Sequence, residues 1–156
     1  MRYGRPIRLS PEAYANSDNI FHTVIRTHPE VGILPSAVRN PIWDSLLAEV
    51  PLGLVTLHAA VLMPDHIHLI VAPANLDLVG WIARWKSLST RAAWTANHRG
   101  TVWQRRFYDR ALRGEEEFGI AWAYVLRNPV DAGLVEEEDE WPHRFTGRTS
   151  NDPLGA

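Results

Sequence analysis

The pattern of apolar and polar residues alternates between strand-like and helix-like stretches. Residues 20–27 (Ile-Phe-His-Thr-Val-Ile-Arg-Thr) are mostly β-branched or aromatic, which predicts a first strand. Apolar residues at helical spacing then predict a helix over 37–50, with Ser36 as its N-cap. Pro51 and Gly53 predict the end of this helix, because neither residue favours a helix interior.

A β-hairpin and a long helix are predicted next. Residues 54–63 and 66–72 are two apolar runs that flank the tight turn Met63-Pro-Asp. Residues 76–97 follow with an apolar stripe at helical spacing, and the stripe includes Trp81 and Trp85, which we therefore expect in the core.

The last elements complete a βαββαβ order. Alternating apolar residues predict a fourth strand over 101–112, and a third helix follows from 115 to about 128, where Pro129 is expected to disturb or end it. This order predicts an α+β fold with a ferredoxin-like sheet, helices on one face and a further C-terminal helix. The other face of such a sheet is free for a ligand.

The domain organisation predicted is simple. At 156 residues the chain fits one domain. We assign it to residues 1–135, with 1–19 as an irregular basic arm and 136–156 as a mobile acidic and polar tail. The absence of cysteine excludes disulfides, thiolate metal sites and a cysteine nucleophile. No signal peptide or apolar run of about 20 residues occurs, so we expect a cytoplasmic protein without a membrane partner.

Charge is distributed unevenly. Residues 1–113 contain 13 basic and 8 acidic residues, and residues 114–156 contain 3 and 10. Residues 84–113 contain eight basic residues and a single acid, Asp109. The asymmetry indicates either a basic binding surface with an acidic appendage or a merely solvated charged face. Fifteen of the sixteen basic residues are Arg, whose planar fork suits phosphate, although a genome-wide bias would give the same count.

Two histidines stand out in the third predicted strand. His66 and His68 are two residues apart, so their imidazoles project from one face and could bind a divalent metal together. Both interrupt an apolar strand, where an unpaired polar nitrogen costs free energy. The alternative is one packed and one exposed histidine with no metal.

The third predicted helix adds two polar groups. Tyr124 lies roughly 110° around the helix from the apolar stripe, given about 100° per residue, and Asn128 shares its flank one turn later. A phenol is a potential nucleophile, and an amide oxygen suits Mg²⁺ or Mn²⁺. The alternative is a boundary tyrosine and a helix-ending asparagine before a proline.

Three ordered motifs resemble a known family. Val61-Leu-Met-Pro-Asp-His-Ile-His-Leu-Ile-Val71 is similar to the metal-binding segment of single-tyrosine HUH transposases. Trp103-Gln-Arg-Arg-Phe-Tyr-Asp-Arg110 and Tyr124-Val-Leu-Arg-Asn-Pro-Val-Asp-Ala-Gly-Leu-Val135 resemble the subgroup of REP-associated tyrosine transposases, which belong to the IS200-like family. The resemblance covers about residues 20–135. It departs from the family pattern at Arg110, where a histidine is expected, and this puts local DNA contacts in doubt.

The resemblance implies a chemistry. His66, His68 and Asn128 would bind Mg²⁺ or Mn²⁺, and Tyr124 would cleave and rejoin single-stranded, hairpin-associated DNA through a 5′-phosphotyrosine. The protein would then be nucleoid-associated. Two alternatives stay open: a non-catalytic nucleic-acid-binding module derived from such a transposase, and a metal-dependent phosphodiesterase that uses water.

The sequence also suggests how DNA would be held. We expect basic residues of the long helix, the fourth strand and the N-terminal arm to contact phosphates; these candidates are Arg84, Lys86, Arg91, Arg105, Arg106, Arg2, Arg5 and Arg8. The acidic run of residues 136–140 either folds over this basic surface and competes with DNA or is a solubilising tail that touches nothing. The sequence leaves both a monomer and a homodimer open.

Overall fold

One antiparallel five-stranded sheet organises the computed structural model, which describes residues 9–147. Its strands lie in the order β4-β1-β3-β2-β5. The first four follow the ferredoxin-like order, and the fifth extends the sheet beyond β2. The strands are β1 Ile20–Arg26, β2 Val55–Leu62, β3 His66–Pro73, β4 Tyr108–Leu112 and β5 Arg144–Thr146.

Within residues 9–147, four α-helices and two short 3-10 turns surround the sheet. Helices α2 and α3 share the main hydrophobic core with one face of the sheet, and α4 packs across the other face in a second core. The predicted α+β fold is confirmed. The helices are α1 Pro11–Ala15, α2 Ser36–Leu47, α3 Leu78–Trp94 and α4 Gly114–Asp131, and the 3-10 turns are Val50–Leu52 and Glu138–Glu140.

Alternation along β3 separates the two faces of the sheet. Ile67 and Leu69 are fully buried in the core with α2 and α3, whereas Ile70 is buried in the core with α4. His66 and His68 have the parity of Ile70, so they lie on the face that carries α4. Trp81 and Trp85 are buried in the main core, as expected. Within the described residues, no helix is long and apolar enough to span a membrane.

The predicted irregular arm contains a helix. Pro11 opens α1, where its missing N–H is not needed. Tyr14 is buried, and its hydroxyl accepts a hydrogen bond from Leu9 N and donates one to Asp109 Oδ2 at 2.9 Å. This contact with a residue far along the chain is what orders the segment. Residues 1–8, with Arg2, Arg5 and Arg8, lie outside the described residues.

Two predicted helix boundaries were wrong. Pro35 holds the N-cap position of α2, and Ser36 is already helical. Pro129 does not end α4, which continues to Asp131. Pro129 is buried, and the carbonyls of the last turn are satisfied by later amides, as in the bond from Ala132 N to Asn128 O at 3.0 Å. Packing therefore offsets the hydrogen bond that the proline removes.

The predicted fourth strand was too long. Only residues 108–112 form β4, and residues 101–107 form an irregular segment with a single bridge from Trp103 to Thr27. Val102 and Trp103 are both buried although they are adjacent, which a regular strand does not allow on one face. The Trp103 indole N–H donates to Ser89 Oγ on α3 at 2.8 Å, so helix packing fixes the segment.

The predicted acidic tail is part of the fold as far as residue 147. Trp141 is buried beside α4, and its indole N–H donates to Leu62 O at 2.9 Å. Strand β5 then pairs with β2, at the edge of the sheet opposite β4. The acidic run is thus anchored away from the β4 edge, and it is not a tail that touches nothing. Local composition could not predict this, because the anchor is one tryptophan beyond the acidic run.

This packing leads to a first prediction. Trp141→Ala should lower the free energy of unfolding by about 3–4 kcal/mol, since it removes a buried aromatic side chain and a buried hydrogen bond. Chemical denaturation would measure it. Glu136→Gln, an exposed change in the same segment, should have almost no effect. Equal stability of the Trp141→Ala variant and the unsubstituted protein would contradict the structural role, and truncation after Val135 should destabilise the protein likewise.

Candidate active site

Two imidazoles face each other at the start of β3. Because His66 and His68 project from the same face, their Nε2 atoms approach to 3.1 Å. His66 Nδ1 lies 2.7 Å from Asp65 Oδ1 in the hairpin turn. A carboxylate only accepts hydrogen bonds, so His66 donates from Nδ1 and presents the lone pair of Nε2 toward His68.

A third histidine, which our sequence reasoning did not single out, lies behind this pair. His22 Nε2 is 3.0 Å from His68 Nδ1, and both rings are buried. The antiparallel pairing of β1 with β3 brings His22 there, since Val24 is opposite His68. The available signal was a polar ring within an apolar strand, the same signal that marked His66 and His68.

Both inner histidines are neutral at neutral pH. Burial, followed by the nearby positive charge of Arg110, lowers the pKa of His22 to about 4. Burial, followed by the charges of His66, His22 and Arg26, holds the pKa of His68 well below its ordinary value. Neutral imidazole is the form that coordinates metals, so burial keeps His68 competent as a ligand.

Tyr124 packs against the histidine cluster from α4. Its ring centroid is 5.5 Å from that of His68 and 6.0 Å from that of His22, with both pairs edge to face. The tyrosine is half-buried at the border of the α4 core. Asn128 is half-buried one turn further along α4. The structure thus brings Tyr124 to His68, with Asn128 on the same helix.

The histidines supply only some of the ligands that a divalent metal needs. Among residues 9–147 there is no group of three or more His, Cys, Asp or Glu side chains that could hold a metal. His66 and His68 nevertheless present two ring nitrogens to one point, and Asp65 and His22 engage the other nitrogens, as is usual behind metal-binding histidines. Further ligands must be of another type, such as the amide oxygen of Asn128 or oxygens of a substrate.

Two arginines share the face of the sheet that carries the histidines. Arg26 is opposite His66 on β1, and Arg110 is opposite His22 on β4. Directly paired residues of antiparallel strands project to the same side, so both guanidinium groups lie beside the cluster. Arg110 Nη2 is also 3.6 Å from Glu117 Oε1 of α4. The position at which the sequence departs from the family pattern therefore lies next to the candidate site.

The candidate DNA-contacting residues of α3 have different surroundings. Arg84 forms an ion pair with the buried Glu49, with Nε 2.8 Å from Oε1. Lys86 donates to the carbonyl oxygens of Gln104 and Arg105 at 2.7 and 3.0 Å, so it fastens the irregular segment to the helix. The other three candidates in the described part of the chain are exposed; they are Arg91 on α3 and Arg105 and Arg106 in the irregular segment.

The site thus combines an antiparallel sheet that bears a histidine pair with a tyrosine packed against it from a helix. Comparisons with known proteins find similarity to tyrosine transposases. The chain is 28% identical over 97 residues to the REP-associated tyrosine transposase of Escherichia coli (strain K12), a match that covers 59% of this chain and 57% of the relative. It is 32% identical over 97 residues to a Haemophilus influenzae protein with the same family name, with 54% and 55% covered.

A solved structure agrees in fold. The structure of the REP-associated tyrosine transposase bound to a REP hairpin matches with a TM-score of 0.66 at 20% identity, over 84% of this chain and 78% of that one. The resemblance to REP-associated tyrosine transposases is therefore confirmed. No family model matches the chain. The chain spans a little over half the length of the two curated relatives.

Proposed function

We propose that this protein cleaves and rejoins single-stranded DNA next to a hairpin, with Tyr124 as the nucleophile. The observation that carries the proposal is the packing of Tyr124 against His68, which places a phenol beside two converging imidazoles. A tyrosine at the border of a core needs no histidine neighbours for stability alone. The curated relatives carry the name of tyrosine transposases, which supports the same chemistry.

The covalent step needs no energy-carrying cofactor, because the phosphoester bond that forms replaces the one that breaks. The Tyr124 oxygen attacks a backbone phosphorus, and the bond from phosphorus to the 3′ oxygen breaks. The phenol loses its proton, and the leaving 3′ oxygen takes up a proton to become a hydroxyl. The products are a 5′-phosphotyrosyl protein and a free 3′-OH. A second 3′-OH can then attack the phosphotyrosine, which releases Tyr124 and joins the strands.

Other side chains of the site would bind the metal and the DNA phosphates. His66, His68 and Asn128 would hold Mg²⁺ or Mn²⁺, which when bound would neutralise charge that develops on the scissile phosphate. Arg26 and Arg110 provide further positive charge on the same face for DNA phosphates.

His22 would act as a positioning residue for His68. The hydrogen bond between the two rings can run in either direction. Only when His68 donates from Nδ1 to His22 Nε2 does His68 Nε2 present a lone pair beside that of His66. An acceptor at position 22 therefore favours the tautomer of His68 that can bind a metal.

This role gives a second prediction. His22→Leu should weaken Mn²⁺ binding by about 10- to 100-fold, because the support behind His68 is lost. His22→Gln should retain more affinity, since its amide oxygen can accept from His68. Isothermal titration calorimetry with Mn²⁺ would measure both, and thermal melting would verify folding. Equal affinity of folded Leu and Gln variants would contradict the positioning role.

The proposed function is tested by trapping the intermediate. Labelled single-stranded DNA with a hairpin, incubated with the protein and Mn²⁺, should yield a labelled protein that survives denaturing electrophoresis. Cleavage without such an adduct would favour the phosphodiesterase that uses water. Tight DNA binding without cleavage or adduct would favour the non-catalytic binding module.

A further inference from the structure

A basic cleft lies between α3 and the irregular segment that precedes β4. It encloses about 580 Å³. None of its lining residues is acidic, and its basic, amide and aromatic side chains are Lys86, Arg91, Trp94, Trp103, Gln104 and Arg105. A smaller cavity of about 260 Å³ adjoins it and shares Trp94 as a wall.

Trp94 differs from every other tryptophan of the chain. The other six are exposed by 8% or less, whereas Trp94 is 50% exposed. Its ring is nevertheless held, because the indole N–H donates to Gly100 O at 2.9 Å. An aromatic ring that is fixed in orientation and open to solvent is a stacking platform with little ordering cost on binding.

The charges around Trp94 favour an anionic ligand. Arg91 and Arg105 are exposed beside the cleft, and neither forms an ion pair within residues 9–147. Arg99 lines the smaller cavity. Lys86 donates its hydrogen bonds to carbonyl oxygens in the wall of the cleft. The arginines are therefore the cationic groups that a ligand can contact. Exposed guanidinium groups around an aromatic face match a nucleotide, whose base stacks while its phosphates take the charge.

The irregular segment that lines the cleft is bonded to the end of β1 beside the histidine pair. Gln104 N donates to Arg26 O at 2.9 Å, and Arg26 is the residue opposite His66. The Gln104 side chain also donates to Thr27 O at 3.2 Å. The wall of the cleft and the candidate site are therefore joined through the end of β1.

We infer that the cleft binds an unpaired nucleotide of the single-stranded DNA that flanks the hairpin. Its base stacks on Trp94, and the phosphates on either side contact Arg91 and Arg105. This inference rests on the proposed function and adds to it a site that grips the single strand away from the reacting phosphate.

The test compares two DNAs with the same stem, one a blunt hairpin and the other with a single-stranded flank. Trp94→Ala should weaken binding of the flanked hairpin by about five- to 100-fold and leave the blunt hairpin unchanged, because only the flank offers an unpaired base. Trp94→Phe should retain most of the affinity and serves if the Ala variant folds poorly. Ile120→Ala, an exposed apolar change on α4, is the matched control.

The salt dependence tests the phosphate contacts separately. Arg91→Ala and Arg105→Ala should each reduce the slope of log affinity against log salt by about 0.7, whereas Trp94→Ala should leave the slope unchanged. Unchanged affinity of a folded Trp94→Ala protein, or equal losses with both DNAs, would overturn the inference.

The two proposals fail in different ways. At saturating DNA the Trp94→Ala variant should still form the Tyr124 adduct, since the cleft does not touch the reacting atoms. Normal adduct formation with no flank-specific loss would refute the cleft alone. A flank-specific loss without any adduct in the unsubstituted protein would support the cleft and refute the strand-transfer chemistry.

Discussion

Tyr124→Phe should abolish the covalent adduct and reduce DNA cleavage by about 1,000-fold or more, while affinity for hairpin DNA stays nearly unchanged. The phenolic oxygen is the only atom removed, and in the proposed mechanism it forms the new bond to phosphorus. The ring remains, so its packing against His22 and His68 is preserved. Stability should fall by about 1 kcal/mol at most.

Tyr108→Phe is the matched control. Tyr108 also has an edge-to-face contact with His22, at 6.3 Å between ring centroids, but it lies on β4 rather than on α4. Adduct formation by this variant should be retained. Full cleavage by Tyr124→Phe would exclude the covalent mechanism, and loss of adduct in Tyr108→Phe with retention in Tyr124→Phe would transfer the role to the other tyrosine.

His66→Ala and His68→Gln should each remove most Mn²⁺-dependent activity and weaken Mn²⁺ binding by at least about 100-fold. Each change deletes one of the two ring nitrogens that converge at 3.1 Å. Glutamine is chosen at position 68 because this side chain is fully buried and alanine would leave a cavity. Removal of metal with EDTA should have the same effect on the unsubstituted protein.

Two comparisons make the metal prediction specific. His28→Ala removes a histidine that is outside the cluster and bonds Glu30 N, and its Mn²⁺ affinity should be unchanged. Asn128→Ala should weaken metal binding less than either cluster variant, since a neutral amide is the poorest of the three ligands. Activity that survives chelation in a protein lacking both His66 and His68 would show that the pair is structural.

Features encoded over a few residues were predicted closely. The hairpin around Met63-Pro-Asp and the long helix α3 appear within a few residues of their expected bounds. Asp77, just before α3, accepts from Gly80 N as a helix N-cap, which a local sequence can specify. These elements agree because their signals are periodicity, turn chemistry and capping, all of which act over one or two turns of chain.

Features that depend on distant partners were missed. Strand β2 changes parity at an irregularity between Leu57 and Ala59, which no periodic pattern announces. Residues 101–107 alternate like a strand, yet α3 holds them in an irregular path. The acidic segment looked like a tail, yet Trp141 anchors it and β5 closes the edge of β2. In each case long-range contacts decided the outcome against the local preference.

The candidate site shows the same division. The sequence by itself determined that His66 and His68 share one face, because strand periodicity is a local property, and that Tyr124 stands off the apolar stripe of its helix. Only the tertiary structure decided that this face is the one α4 crosses, that His22 lies behind His68, and that Tyr124 meets both rings. Strand pairing and helix docking are set by burial across the whole chain, so the residues that meet there have no common local pattern.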